Sequence, residues 1–292
     1  MAVAITAHAA QQEMDHSALG SLIRDIPIPP RPLVVQQIQE EMARAEPDMR
    51  EIARIVSQDV GLTVAVLKTV NSPLYGLSRK AESVEQAVGL IGLKQLSILV
   101  TALSMRSLLQ GDAQTLGRFY DTSARRTLAM ARMAKTTGVV DVALAQTFGL
   151  FCDVGIPLLM KRFPDYVQTL RVANDDPLRT FTTVEQEAHH TDHALIGALM
   201  VKTWGLSPLV ALAIRLHHDY DVFLDPKIPR EVARLISLNI IAEEAIQRYA
   251  KIHANVEWQK GGDYVASTLA MEPAEVEEWL EHLIDAFAGG LD

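Results

Sequence analysis

The sequence predicts an all-α fold, and three observations support that prediction. Apolar residues recur at helical spacing nearly throughout, as in Ile52, Ile55 and Val56 and then Val66 and Val70. Alternating, strand-like runs bounded by Asn-Gly or Asp-Gly turns are missing. Hydrophobic residues make up 49% of the 292 residues, which is ample for a sizeable interior. We therefore expect a multi-helix bundle with short loops.

The first third of the chain combines a stiff connector with short helices. A weakly amphipathic segment near Met14 to Arg24 comes first, and the prolines between Ile26 and Pro32 then hold the backbone extended. Asp59 is a candidate N-cap, and Ser83 with Gln86 forms a candidate capping box. The predicted helices of this part are 33–45, 48–57, 61–70, a helix ending near 92, and 93–109.

A helical hairpin is the clearest local unit of the remaining chain. Asp192 is expected to cap a helix that runs to Trp204, and Gly205 stops it. Ser207-Pro208 then starts a second helix that ends near His218. The other predicted helices are 116–137, 141–151, 164–174, 184–190, 229–249 and 273–288.

The bulk composition excludes several classes of protein. A formal net charge of −9 argues against sequence-independent binding to nucleic acid, which depends on a dense basic face. The single cysteine, Cys152, rules out an internal disulfide framework. Residues 1–12 lack the basic flank of a signal peptide, and the most apolar run, 90–103, is interrupted by Lys94 and Gln95. We therefore expect a cytoplasmic protein that binds neither membranes nor nucleic acid.

Histidines are concentrated in and around the predicted hairpin. His193 lies about eleven residues before the turn and His217 about eleven after it, so antiparallel packing returns both to the same end. His218 is the next residue, and His189 and His190 lie one loop upstream. Five of the nine histidines thus fall within thirty residues, which is the strongest chemical signal in the sequence.

Two interpretations of this histidine concentration remain open. In the first, helix ends assemble a metal or phosphate site that Asp153, in the turn between Gly149 and Gly155, completes. In the second, the histidines cap helix carbonyls or lie in solvent. Adjacent histidines point to different faces of a helix, so His217 and His218 would not easily serve one site.

Three segments together resemble the HDOD family, which is related to the HD phosphohydrolases. They are the run Ile55–Gly76 with its Asn-Ser-Pro loop, the pair Ala87-Val88 before Leu90-Ile-Gly-Leu93, and His193 to Trp204 followed by His217-His218. The resemblance extends over about two thirds of the chain. It implies three regions: a tail and short helix over 1–25, an HDOD domain over 26–223, and a helical extension over 224–292 that packs on it.

The resemblance also implies the loss of the HD metal site. HD phosphohydrolases bind divalent metal with a histidine on an early helix, a His-Asp pair and a final aspartate, and these positions fall at Ser123, Cys152-Asp153 and Asn239. Only Asp153 remains of the four ligands, so we expect no catalytic residues and no cofactor. The alternative is a displaced site for a divalent transition metal, with Cys152 as an added soft ligand. Its main ligands would be Asp153, His193, His217 and His218.

A non-enzymatic module of bacterial signal transduction is the function that the resemblance implies. Its partners would be other signalling proteins or a small phosphate-containing ligand. The alternative is a divergent metal-dependent phosphohydrolase that acts on a nucleotide or phosphate ester. A DNA-binding regulator is disfavoured because the sequence contains no helix-turn-helix with a basic recognition helix. The candidate pocket residues are Asn71, Cys152, Asp153, His193, His217 and His218.

Four further features each have a functional and a structural interpretation. The loop at Asn71 would present polar groups to a ligand, but its residue types also form turns routinely. Cys152 is a candidate redox or metal thiol, although an inert core residue is favoured. Trp204 would either anchor a partner or seal the hairpin. The basic cluster beginning at Arg125-Arg126 would receive an acidic partner, but a solvated helix face is favoured.

Overall fold

The computed structural model describes residues 6–17, 26–72, 75, 77, 79–109, 113–252 and 255–289. Within these residues the regular structure is entirely helical, which confirms the predicted class. Contacts divide the chain into two compact units. The smaller unit spans Pro30–Gln110, and the larger unit comprises Met1–Pro29 and Gly111–Gly289. The predicted domain limits at 26–223 and 224–292 stay predictions.

Short helices in the smaller unit surround an aliphatic core. Its buried cluster includes Ile38, Ile52, Val66, Val88 and Leu96. Asp48 and Asp59 cap two of the helices by accepting hydrogen bonds from backbone N–H groups, and Ser83 caps a third. These helices are α2 (Leu33–Met42), α3 (Met49–Ser57), α4 (Val60–Val70), α5 (Val84–Ile91) and α6 (Leu93–Leu108).

Asn71 fastens the loop that follows α4. Its Nδ2 donates to the Ala81 carbonyl at 2.8 Å, and its Oδ1 accepts from the Ala81 N–H at 2.7 Å. Both ends of the amide are therefore used in joining two points ten residues apart. This is the turn-forming use that the sequence favours for the loop. The part of this loop at 73, 74, 76 and 78 lies outside the described residues.

The larger unit is built around a long helix, α7, with α8 and α14 packed on it. A two-helix hairpin, α12 and α13, packs against α8, α9 and α14. A short 3₁₀ helix, Tyr220–Phe223, follows the hairpin. The helices are α1 (Ala7–Ser17), α7 (Ala113–Thr137), α8 (Val142–Phe151), α9 (Gly155–Arg162), α10 (Tyr166–Asp175), α11 (Phe181–His189), α12 (His193–Thr203), α13 (Pro208–Leu216), α14 (Arg230–Tyr249), α15 (Val256–Leu269) and α16 (Pro273–Ala288).

The hairpin forms as its capping residues predict. Asp192 accepts a hydrogen bond from the Leu195 N–H at 2.8 Å, and Gly205 adopts a left-handed φ of 65° just after α12. Trp204 is fully buried, where it contacts Phe151 edge to face and donates its indole N–H to the Pro29 carbonyl. Trp204 therefore seals the hairpin and has no surface to offer a partner.

Two helices of the larger unit are absent from the sequence prediction. α9 begins directly after the Asp153 turn, and its proline at 157 falls in the first turn, where proline is tolerated. α15 carries Gly261-Gly262 in its interior, which lowers its helix propensity. A Cβ at Gly261 would lie 2.5 Å from the Tyr220 ring, so the glycine permits close packing there.

One described stretch, Val142–Arg162, is long and apolar enough to pass a test for a membrane-crossing helix. Of the apolar 18-residue window within this stretch, 61% is buried inside the structure, as expected for a core segment. The bent pair Val84–Ile91 and Leu93–Leu108 passes only when its two helices are taken together, and they meet at 120°. Such matches are weak evidence for a membrane span, and the cytoplasmic location stays a prediction.

Candidate functional site

A cavity of about 150 Å³ opens among the helices of the larger unit, beside the start of the hairpin. Side chains from α7, α9, α10, α11, α12, α14 and α15 reach it, together with the turns after α8 and α13 and the short 3₁₀ helix. The polar and charged residues of its lining include Arg126, Asp153, His193, His217, His218, Asn239, Glu243 and Glu257.

Three histidines meet at one wall of this cavity. The Nε2 atoms of His193 and His217 lie 3.3 Å apart, and the ring centroids of His217 and His218 lie 4.0 Å apart. The hairpin thus returns His193 and His217 to the same end, as predicted. The expectation that the adjacent residues His217 and His218 would not easily serve one site is wrong here. α13 ends at Leu216, so neither residue lies on a continuing helix that would turn the two rings to different faces.

Each of these imidazoles is held through its Nδ1 atom. Nδ1 of His193 lies 2.7 Å from Glu185 Oε2, and Nδ1 of His217 lies 2.6 Å from the Ile214 carbonyl. Nδ1 of His218 lies 2.5 Å from Glu257 Oε2. Carbonyl and carboxylate oxygens only accept, so each Nδ1 carries the proton and donates it. The Nε2 lone pairs of His193 and His217 then face each other, which calls for a shared proton or a bound cation.

Asp153 lies between these imidazoles and a buried guanidinium. Its Oδ1 is 3.7 Å from Nε2 of His193 and 3.6 Å from Nε2 of His217, while its Oδ2 accepts from Arg126 Nη2 at 2.6 Å. The same nitrogen of Arg126 also binds Glu243. Burial alone would raise the pKa of Asp153, yet Arg126 and the two imidazoles hold that pKa well below its usual range. Asp153 is therefore a fixed anion.

The charge states of the histidines differ. Burial would lower the pKa of His193, but the Glu185 carboxylate and then Asp153 raise it to about 9. The pKa of His218 is lowered to about 4, first by burial and then by the adjacent His217. At neutral pH, His193 therefore supplies the proton that the facing Nε2 atoms require, and His218 is neutral.

Glu257 anchors the far side of the cluster. Its carboxylate accepts from Tyr220 Oη at 2.6 Å and from Lys260 Nζ at 2.9 Å, in addition to His218. Burial by itself would raise the pKa of Glu257, but His218 and Lys260 hold it well below its ordinary value. α15 thus contributes an ionised acid that orients the last imidazole.

The positions matched to HD ligands lie together but carry poor ligands. Ser123 is buried and donates its hydroxyl to the Leu150 carbonyl at 3.0 Å. Cys152 Sγ lies 3.9 Å from Asn239 Oδ1, and burial raises the pKa of the thiol well above its ordinary value. A neutral thiol, an amide and an engaged hydroxyl are weak partners for a hard divalent cation.

Two of the five clustered histidines lie apart from the site. His189 binds Thr169 Oγ1 through Nε2 at 2.8 Å and stacks on Phe163. His190 is exposed and ends α11 in the left-handed conformation, with φ of 56°. Asn71 is not among the residues that line the cavity.

Three residues of the site are not predicted from the sequence. Arg126 is only 3% exposed, so the favoured interpretation of the basic cluster at Arg125-Arg126 as a solvated helix face is wrong at Arg126. The sequence feature that could have indicated Arg126 is its position about one helical turn after Ser123, which places it on the face of α7 that meets Asp153. Glu185 is eight residues before His193 with no recognisable spacing, and Glu257 belongs to a helix that was not predicted.

Known proteins resemble this chain over most of its length. An uncharacterized protein of Treponema pallidum (strain Nichols) is 27% identical over 237 residues, which are 79% of this chain and 44% of that protein. The chain spans less than half the length of the curated relatives it matches.

Two solved structures have the same fold. A protein of Marinobacter aquaeolei VT8, provisionally named a signal transduction protein, has a TM-score of 0.68 and 20% identity, over 98% of this chain and 66% of that one. A protein of Shewanella amazonensis SB2B, provisionally named a phosphohydrolase, has a TM-score of 0.68 and 19% identity, over 96% and 95% of the two chains. At these identities the likeness extends to the fold alone.

The family of this chain is shown by a match over most of its length. The model of the HDOD domain matches residues 28–220, about two thirds of the sequence. That range contains the Asp153 turn and all three histidines of the cavity wall. The chain therefore belongs to the HDOD family.

Proposed function

We propose that this chain is a non-enzymatic module of bacterial signal transduction, whose cavity binds a regulatory ligand or partner group. The ion pair between Arg126 and Asp153 is the observation that carries this proposal. HD hydrolysis needs this aspartate, with three further ligands, to hold a metal ion. In this chain a guanidinium already neutralises the carboxylate, and Glu243 holds that guanidinium in place. Ser123, Cys152 and Asn239 do not replace the missing ligands.

The charge of the cavity favours a polar ligand over a free phosphate. Its wall contains three acidic side chains against Arg126 and the protonated His193, so no positive excess is left for an anion. The amide side chains of Asn174, Asn239 and Gln247 offer hydrogen bonds, while Phe181 and Trp258 offer apolar faces. A volume of about 150 Å³ suits a small molecule or one group of a larger partner.

A pair of tryptophan variants tests this proposal. Asn174, on α10, is exposed and lines the cavity, so Asn174→Trp is expected to block its mouth without disturbing the core. Gln168→Trp adds the same ring to an exposed position of α10 that does not line the cavity. We expect native mass spectrometry of the full chain, mixed with a bacterial small-molecule extract, to show a bound mass that Asn174→Trp loses and Gln168→Trp keeps. Equal binding by both variants, or by neither, would contradict a cavity ligand.

A second candidate function is a one-metal phosphohydrolase, and the geometry of the imidazoles favours it. Ligand atoms of His193, His217 and His218 lie within 4.8 Å of one another, and the Nδ1 atom of each ring has an acceptor. Such outer acceptors orient histidine ligands in metal sites. The three residues fit one transition metal ion, with Asp153 as a candidate fourth ligand. A divalent ion held there would supply a Lewis acid for a phosphate oxygen.

Metal analysis separates the two candidates. For the second candidate, full-length protein purified without chelator would contain about one transition metal ion per chain and would hydrolyse bis(p-nitrophenyl) phosphate. Both properties would fall in His217→Ala and persist in His190→Ala, which changes an exposed histidine outside the cluster. Under the first proposal we expect no turnover above the blank with any added divalent metal. Turnover that disappears with His217→Ala would overturn it.

A further inference from the structure

The first helix, α1, is held on the hairpin by one narrow face. Ala10, Glu13 and Met14 lie at the spacing that shares a helix face, and Ala10 and Met14 are 0% and 1% exposed. The neighbouring residues His8, Ala9, Gln11, Gln12 and Asp15 are exposed. The helix contacts α12 and α13.

Glu13 binds a buried arginine of α13. Its Oε2 accepts from Arg215 Nε at 2.8 Å and lies 2.7 Å from Nη2. The Arg215 side chain is 1% exposed, so α1 covers a cation that would otherwise lack this counter-charge. A second pair, Asp15 with Lys202, joins α1 to the other helix of the hairpin, α12, but its side chains are 55% and 43% exposed. Exposed pairs contribute little to stability, so Glu13 is the specific anchor.

Arg215 connects this anchor to the hairpin's N-cap. Its Nη2 lies 3.9 Å from Oδ2 of Asp192, which is fully buried. The other oxygen of Asp192 caps α12 at the Leu195 N–H, and Oδ2 accepts from Gln186 Nε2 at 2.6 Å. Asp192 therefore joins the end of α11 to the first residue of α12, which is His193.

The connection ends in the cavity wall. Glu185, next to Gln186, holds the His193 ring at 2.7 Å and also accepts from Tyr166. From Arg215 onward, Asp192, Glu185 and His193 are all fully buried, so water does not screen them. A change in the position of Arg215 would therefore alter the electrostatic surroundings of His193.

The helix itself depends on this contact. α1 has 11 residues, and an isolated helix of that length is marginal in water. Among the described side chains of α1, the buried Ala10 and Met14 and the ion pair of Glu13 with Arg215 hold the helix, so its opening is expected to cost far less than global unfolding.

We propose that α1 is a releasable latch, and that its departure from the hairpin moves Arg215 toward Asp192 and so shifts His193 in the cavity. An input acting on this helix would then reach the cavity without any contact with it. The docked occupant of this face is α1 of the same chain.

Matched variants of the full chain test the latch. Glu13→Gln removes the carboxylate charge that binds the buried Arg215 at almost constant shape, Met14→Ala removes an apolar contact, and Asp15→Asn removes the exposed pair as a control. Hydrogen exchange of residues 6–17 measures opening, and the Nδ1–H signal of labelled His193 reports on the cavity. We expect exchange in α1 to rise about tenfold or more in Glu13→Gln, because a charged hydrogen bond is lost. Met14→Ala is expected to do the same, and Asp15→Asn to change neither measurement.

The His193 signal decides between a latch and a simple contact. For a latch, both opening variants shift this signal in the same direction. An α1 that opens while His193 stays unchanged would overturn the proposal, and so would a shift in Glu13→Gln alone. Wild-type protection in both variants would exclude a releasable helix. Concentration-dependent protection would also overturn the proposal, because it indicates exchange of α1 between copies.

Discussion

Gly155→Ala is expected to destabilise the larger unit by about 3 kcal/mol or more, which exceeds the usual cost of a single added methyl group. A Cβ at residue 155 would lie 2.1 Å from the His193 carbonyl oxygen and 2.8 Å from the His193 Cα. These are backbone atoms at the start of α12, so no side chain can rotate to make room. The clash would separate the Asp153 turn from the histidines.

Chemical denaturation of the full chain measures this effect, and Gly89→Ala is its control. Gly89 is also helical, but a Cβ there meets nothing within 4 Å. That variant is expected to gain about 0.5–1 kcal/mol, because alanine is the better helix former. Similar stabilities for the two variants would mean that α9 and α12 do not pack as closely as described.

Arg126→Ala is expected to lower the free energy of unfolding by about 3–5 kcal/mol at neutral pH, which is the range for removing one partner of a buried ion pair. Arg126 is 3% exposed, and its removal leaves Asp153 and Glu243 as neighbouring anions with little access to water. Thermal or denaturant unfolding measures the loss. Arg132→Ala, at an exposed position of the same helix, is expected to change stability by no more than about 0.5 kcal/mol.

The penalty of Arg126→Ala also has a predictable pH dependence. In the wild type the folded pKa of Asp153 is well below its ordinary value of about 4, so Asp153 stabilises the fold above that pH. This contribution is lost as the pH falls through the folded pKa. Removal of Arg126 takes away the largest of the influences that lower the pKa of Asp153 against burial, so the folded pKa is higher in the variant than in the wild type. The difference in stability between variant and wild type should therefore narrow as the pH falls from the variant's folded pKa to that of the wild type. If the difference in stability between the two proteins stayed constant down to acid pH, the lost stability would come from packing and not from the charge of Asp153.

The hairpin and its histidines were accessible to sequence reasoning because their determinants are local. Asp192, Gly205 and Ser207-Pro208 fix where two helices begin and end, and equal spacing from the turn brings His193 and His217 together. The predicted caps at Asp59 and Ser83 fixed the starts of two helices of the smaller unit in the same way.

The partners of the histidines were not accessible, because they come from distant parts of the chain. Arg126 reaches Asp153 from 27 residues away, and Glu257 reaches His218 from 39 residues away. A charged residue on a helix is usually solvated, and only packing decides that Arg126 is an exception. The glycines at 261 and 262 also lower the helix propensity of the segment that carries Glu257, although Gly261 is what lets α15 approach Tyr220.

The HDOD match ends at residue 220, yet α14 and α15 supply Asn239, Glu243 and Glu257 to the cavity. The boundary that homology assigns therefore cuts through the candidate site. A fragment trimmed to the matched range would expose Arg126 without Glu243 and leave His218 without its acceptor. The range that is matched by homology is therefore shorter than the range that supplies the side chains of the cavity.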